Sequence, residues 1–180
     1  MTATTYLSAQ RRITPVADGD LDECMTRWVN HIAVARDARR TVHLIGNGGS
    51  ASIAAHAQND LVKGCGVKAL IYQDVPLLTA LENDDGYHQG YAAPLALWIE
   101  PDDVLIAISS SGASGNILQA VRVAKAAGAT IVTCSGFNQD NPLRQLGDLN
   151  FYVPSFTYGY VELTHAALLH CLTDRLAHAR

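Results

Sequence analysis

The stretch HLIGNGGSASIAAHAQND, His43 to Asp60, passes from an apolar run through a glycine-rich turn into an Ala-rich segment. The apolar run begins at Val42 and ends at Ile45, and it is continuous rather than alternating, as in a strand buried on both faces. Ala51–Val62 has the composition of a helix. Strand, tight turn and helix in that order form the first half of a parallel βαβ unit.

The same alternation continues outward from this stretch. Further short apolar runs occur at Lys68–Tyr72, Val104–Ile108, Thr130–Cys134 and Phe151–Val153. Gly115–Gly128 reads as a helix with Gly128 as its C-terminal stop. Gly86–Ile99 is a weaker helical segment, which Pro94 is expected to kink or end. Asp20–Arg39 and Tyr160–Ala179 each read as one long helix. Right-handed crossovers would wind these elements into a doubly wound α/β domain, a five-stranded parallel sheet flanked by helices. One domain over residues 1–180 is the simplest organisation, with a helical segment at 1–40 and the α/β core with its C-terminal helix at 41–180. The two end helices carry more apolar residues than one sheet face requires, a surplus that would suit contact with another subunit.

The formal net charge is -4, from 13 Lys and Arg against 17 Asp and Glu, with no basic run. That balance speaks against nucleic acid or an anionic membrane as the main partner. It leaves room for a small phosphorylated ligand held by one loop. No apolar run approaches the ~20 residues of a membrane span, and the first dozen residues lack the apolar core of a signal peptide. A cytoplasmic location is therefore expected. Cys24, Cys65, Cys134 and Cys171 fit no metal-binding spacing and are expected to be reduced, mostly buried thiols.

Two loops follow strands and precede helices, where α/β sheets bind ligands. The first is GNGGS, Gly46–Ser50, in which Asn47, Gly48, Gly49 and Ser50 could meet an anion at a helix N-terminus. Its bland alternative is an ordinary tight turn with Ser50 as N-cap. It has neither the dinucleotide fingerprint nor the P-loop pattern, so no organic cofactor is expected. The second is SSSGASGN, Ser109–Asn116, where Ser109, Ser110, Ser111 and Ser114 could donate several hydrogen bonds to one phosphate. Neither loop holds a Lys or Arg, which suits a phosphomonoester kept as a handle rather than transferred.

Proton chemistry has its own candidates. His56 and Asp60 stand four apart on one helical face. On the C-terminal helix, Glu162 and His170 lie about 80° apart, with His165 about 60° from Glu162 on the other side. Ala166, Leu169, Thr173 and Leu176 share that arc, so the face is expected to be largely buried. A bland alternative there is a buried His–Glu hydrogen bond between helices. Two His and two carboxylates from distant segments match a divalent metal such as Zn²⁺ or a general acid–base set. The cluster Asn83, Asp84 and Asp85 reads equally as turn chemistry or as a binder of sugar hydroxyls.

Together, GNGGS, END (Glu82–Asp84), ISSSGASGN and YGYVELTHAALLH, in this order, resemble the sugar isomerase (SIS) family, and within it the phosphoheptose isomerases. The likeness runs from about Arg40 to His170. It implies aldose–ketose isomerisation of sedoheptulose 7-phosphate through an enediol, in a homotetramer with active sites between subunits. It implies phosphate binding by Ser50, Ser109, Ser111 and Ser114, with Asn47 and Asp84 in the pocket. It further implies zinc held by His56, Asp60, Glu162 and His170, with Asp60 or Glu162 and His170 moving protons. Two positions depart from the family pattern: Asp60 stands where Glu is usual, and Glu162 where Gln is usual. Asp is shorter by about one C–C bond, ~1.5 Å, a displacement on the scale that matters for catalysis. The family's LTGR segment reads LVKGCG here, with Gly64 at the place of the Arg. These departures keep two alternatives open: an isomerase of another sugar phosphate, and a non-catalytic SIS module that binds a sugar phosphate or a protein partner.

Overall fold

The computed structural model describes residues 1–178. In chain order the elements are α1 (Ala3–Gln10), β1 (Val16–Ala17), α2 (Leu21–Asp37), β2 (Thr41–Gly46), α3 (Gly49–Lys63), β3 (Lys68–Ile71), α4 (Val75–Asp84), α5 (Gln89–Trp98), β4 (Val104–Ser109), α6 (Gly115–Ala126), β5 (Thr130–Gly136), β6 (Leu149–Val153) and α7 (Tyr158–His178). The sheet has six strands in the order β1-β6-β5-β4-β2-β3. Five are parallel, as expected, and the sixth, β1, pairs antiparallel with β6. This added edge strand corrects the expected count. Two residues are too short a run to show periodicity, and only the pairing of Val16 with Tyr152 reveals them.

Residue alternation along β4 explains the layers. Val104, Ile106 and Ile108 face a core shared with α2, α3 and α7, which contains Trp28, Ile32, Leu61 and Phe151. Leu105 and Ala107 face the other way, towards Tyr91, Leu95, Ile117 and Val121 of α5 and α6. With both faces covered, every β4 residue is buried, which is why the strand reads as a continuous apolar run.

Two further expectations are corrected, and the helical segment at 1–40 comprises two helices with a two-residue strand between them. The weak helix at 86–99 begins at Gln89, and Pro94 lies inside it without ending it. Pro94, Tyr91 and Leu95 are all buried there, so packing outweighs one lost backbone bond. The C-terminal helix begins earlier, at Tyr158, and Ala179 lies outside the described residues. Three cysteines are buried and Cys171 is exposed.

The chain moves from β2 outward to β3, then returns to place β4 on the other side of β2. That reversal is a topological switch point, where a crevice opens beyond the strand ends. Gly46 at the end of β2 pairs with Ile108 near the end of β4. The two loops singled out in the sequence therefore leave neighbouring strands at the switch point.

Candidate active site

The glycine turn is built by backbone need. Gly48 has φ +52 and caps α3, a conformation that disfavours side chains. The cap is therefore Gly48 and not Ser50, which is buried in the first turn of α3. Tyr91 donates its hydroxyl hydrogen to the Gly46 carbonyl and anchors the turn from α5. Asn47 Nδ2 donates to Asn116 Oδ1 at 3.0 Å, and Asn116 Nδ2 returns the bond to Asn47 Oδ1 at 2.9 Å. This reciprocal pair ties the first loop to the second. Tyr87 adds a third member by accepting from Asn47 at 3.1 Å.

In the second loop Gly112 takes φ +62 against the buried Asn141 side chain. Leu143 N–H donates to the Gly112 carbonyl at 2.9 Å. So folded, the loop turns its serines inward, and the Ser109 and Ser114 hydroxyls lie 3.3 Å apart. Asn47, Ser50, Ser109, Ser110, Ser111 and Ser114 line one cavity of about 120 Å³ with Tyr158 and Glu162. That volume is about four waters' share of liquid, enough for one tetrahedral anion. Ser110 Oγ is buried with no hydrogen-bond partner among the described residues. An orphaned hydroxyl of this kind is a donor waiting for an acceptor.

Helices α3 and α7 run side by side from this pocket. At their starts, the Glu162 carboxylate rests on Gly49: a Cβ added there would lie 2.6 Å from its Cδ. Further along, His56 Nε2 and His170 Nδ1 approach Asp60 Oδ2 at 3.5 and 3.6 Å. The two imidazole rings meet edge-on with centroids 5.0 Å apart. Ligand atoms of the three residues all lie within 4.8 Å of one another. Their surroundings, Ser52, Ile53, Ala57, Ala166 and Leu169, form a cavity of about 230 Å³. Glu162, Ala166 and His170 make one stripe of α7, so trio and serine pocket are two turns apart, roughly 12 Å along the helix.

The structure therefore brings together three of the four residues expected to hold a metal, and sets Glu162 apart with the serines. It also divides the histidines of α7 differently from expectation. Thr173, Leu169 and Leu176 are buried, but His170 is exposed at the edge of that face and Glu162 is half-buried. The fully buried histidine is His165, and its Nε2–H donates to the Ser135 carbonyl at 3.1 Å rather than to Glu162. Burial lowers its pKa to about 4. Asn83 and Asp84 end α4, exposed and bonded to each other at 2.7 Å, outside the lining of the serine pocket. Tyr87, Asn116, Tyr158 and His88 escaped the sequence reading. His88 packs its ring on Gly115, at the start of α6. For Tyr87 and His88 the signal lay in GYHQGY, Gly86–Tyr91, which reads as the start of a weak helix and says nothing of which loop it meets.

Residues 5–136 match the SIS domain family. The chain belongs to this family. Among curated relatives, the phosphoheptose isomerase of Thiobacillus denitrificans is 34% identical over 137 residues, covering 72% of this chain and 70% of the relative. That of a Shewanella species is 29% identical over 161 residues, covering 80% and 82%. The fold superposes on a phosphoheptose isomerase structure from Francisella tularensis with a TM-score of 0.86, at 24% identity and full coverage of both chains. In this SIS chain the two serine-bearing loops leave the sheet at the switch point, and the His–Asp–His trio lies further along the same helix pair, α3 and α7.

Proposed function

We propose that this SIS chain is a phosphosugar aldose–ketose isomerase that interconverts sedoheptulose 7-phosphate and a heptose 7-phosphate. One observation carries the reading: a serine-lined pocket and an acid–base trio lie along the same helix pair, α3 and α7, two helical turns apart. A long sugar chain with a terminal phosphate matches that separation, whereas a three-carbon phosphate leaves the trio out of reach. The names of the curated relatives agree with it.

In this reading Ser50, Ser109, Ser110, Ser111 and Ser114 donate hydrogen bonds to the phosphate, with the start of α3 behind them. The Asp60 carboxylate removes a proton from C1 of the ketose, leaving an enediol, and returns a proton to C2. His170, in contact with Asp60, carries the matching proton between the oxygens on C1 and C2. Asp60 is favoured over Glu162 as the base because it stands beside both histidines.

The trio also fits a divalent cation: two imidazoles and one carboxylate with an open side is the donor set of a catalytic zinc site. When bound there, Zn²⁺ supplies Lewis-acid polarisation of the substrate oxygens. We further propose a homotetramer whose sites are completed between subunits. The side chains of His56 and His170 are 62% and 52% exposed, and Val34, Leu97 and Trp98 turn large apolar surfaces outward. A cytoplasmic setting accords with four cysteines that form no disulfide.

The test is a panel of phosphorylated ketoses with Zn²⁺ supplied. Turnover of sedoheptulose 7-phosphate is expected. Turnover of a five- or six-carbon ketose phosphate, with none of sedoheptulose 7-phosphate, would move the chain to another substrate, the reading that Asp60 and Glu162 motivate. No turnover of any member would leave a binding module.

A further inference from the structure

The Glu162 carboxylate has no hydrogen bond and no ion pair among the described residues, yet the residue is half-buried and lines a cavity of serine hydroxyls. It lies on Gly49, in the first turn of α3, where the helix dipole would welcome an anion. It shares the lining with Ser50, Ser109, Ser110, Ser111 and Ser114 in a space of about 120 Å³. No Lys or Arg lines that space. The pocket thus already contains one negative charge where the function proposed above brings a second.

We infer that Glu162 weakens the pocket's hold on phosphorylated ligands through the charge of its carboxylate. The inference rests on the reading of the serine pocket as the phosphate site. Two anions inside one small cavity repel strongly at the effective dielectric of a protein surface, and a dianion feels this more than a monoanion. The serines and the helix start still attract the phosphate, so the charge tunes affinity rather than abolishing binding. Inorganic phosphate and a sugar phosphate bring the same group to the pocket, so both feel this repulsion alike. A neutral side chain of the same shape would remove it.

The experiment is calorimetric titration of the full-length wild type, Glu162→Gln and Glu162→Ala with three probes: inorganic phosphate, sedoheptulose 7-phosphate and unphosphorylated sedoheptulose. Binding is read directly, so activity plays no part. Both variants are expected to bind the two phosphorylated probes roughly tenfold more tightly at low salt. The gain should shrink in 0.5 M salt, roughly, and the unphosphorylated sugar should show none. Tightening in Glu162→Gln alone would assign the effect to a hydrogen bond and overturn the charge argument. Unchanged or weaker binding of both phosphorylated probes overturns it too, while leaving the phosphate site standing. If no form binds any phosphorylated probe, the phosphate reading falls and this inference with it.

Discussion

His170 Nδ1 lies 3.6 Å from Asp60 Oδ2, although the two residues belong to helices far apart in the chain. With His56 on the other side of the same oxygen, three donors converge that no sequence window contains. Metal analysis of the purified protein tests this convergence. One divalent ion per chain is expected for the wild type, and both His56→Ala and His170→Ala should lose it, because two remaining donors seldom retain zinc. Full metal content in either variant would remove that histidine from the set.

Asp60→Asn keeps shape and removes the base. The expected loss in kcat is roughly 10²–10⁴-fold, the usual range for a positioned acid–base group, with KM changed far less. A loss confined to KM would make Asp60 a binding residue instead.

The serine pocket predicts the opposite split. Ser110→Ala removes a buried hydroxyl that has no internal partner, so the free protein should lose little stability. The same change should raise KM for a sugar phosphate roughly 10- to 100-fold, reflecting one lost charge-assisted hydrogen bond of about 1.5–3 kcal/mol. Steady-state kinetics beside a melting curve separates the two effects.

Gly112→Ala probes the scaffold beneath those serines. The new Cβ would stand 2.8 Å from the Asn141 Cβ, on a residue with φ +62. Asn141 is itself fixed by bonds to Ser135 and to the Gly136 carbonyl, so it yields little. A destabilisation of about 2 kcal/mol or more is expected from strain and crowding together, measurable by denaturant unfolding. An unchanged midpoint would show that the loop relaxes freely.

Acid should unfold this protein through two buried histidines. His165 donates through Nε2 to Ser135, and its Nδ1 has no partner among the described residues. Burial lowers its pKa from 6.5 to about 4. His43 is lowered chiefly by burial too, against the opposing pull of Asp103; it donates Nε2–H to that carboxylate and accepts from Tyr72 at Nδ1. The unfolded chain therefore binds protons first. Stability from these groups is complete above pH 6.5 and falls as the pH drops below it, for His165 down to about 4. For His165 alone the full loss is ~3 kcal/mol. His165→Gln should flatten this part of the pH–stability curve, and an unaltered slope would argue against His165 as its source.

Much of this was legible in the residues. Continuous apolar runs such as Val104–Ile108 marked strands buried on both faces, because only such strands dispense with alternation. The two small-residue loops were legible because a turn that brings backbone close to an anion needs Gly and short hydroxyl side chains. The pairing of Val16 with Tyr152 was not, since a two-residue strand exists only through its partner. Helix angles placed Glu162 and His170 on one broad face of α7, but angle says nothing of position along the axis.

By itself, then, the sequence determined the alternating α/β order, the glycine-rich turn at Gly46–Ser50 and the residue types at the site, because these follow from local backbone chemistry and period. Tertiary structure alone decided which types meet. The return of the chain past β2 sets the two loops side by side. The side-by-side run of α3 and α7 gives His170 to Asp60 and Glu162 to the serines, since a contact between helices depends on how far each extends from a shared starting point.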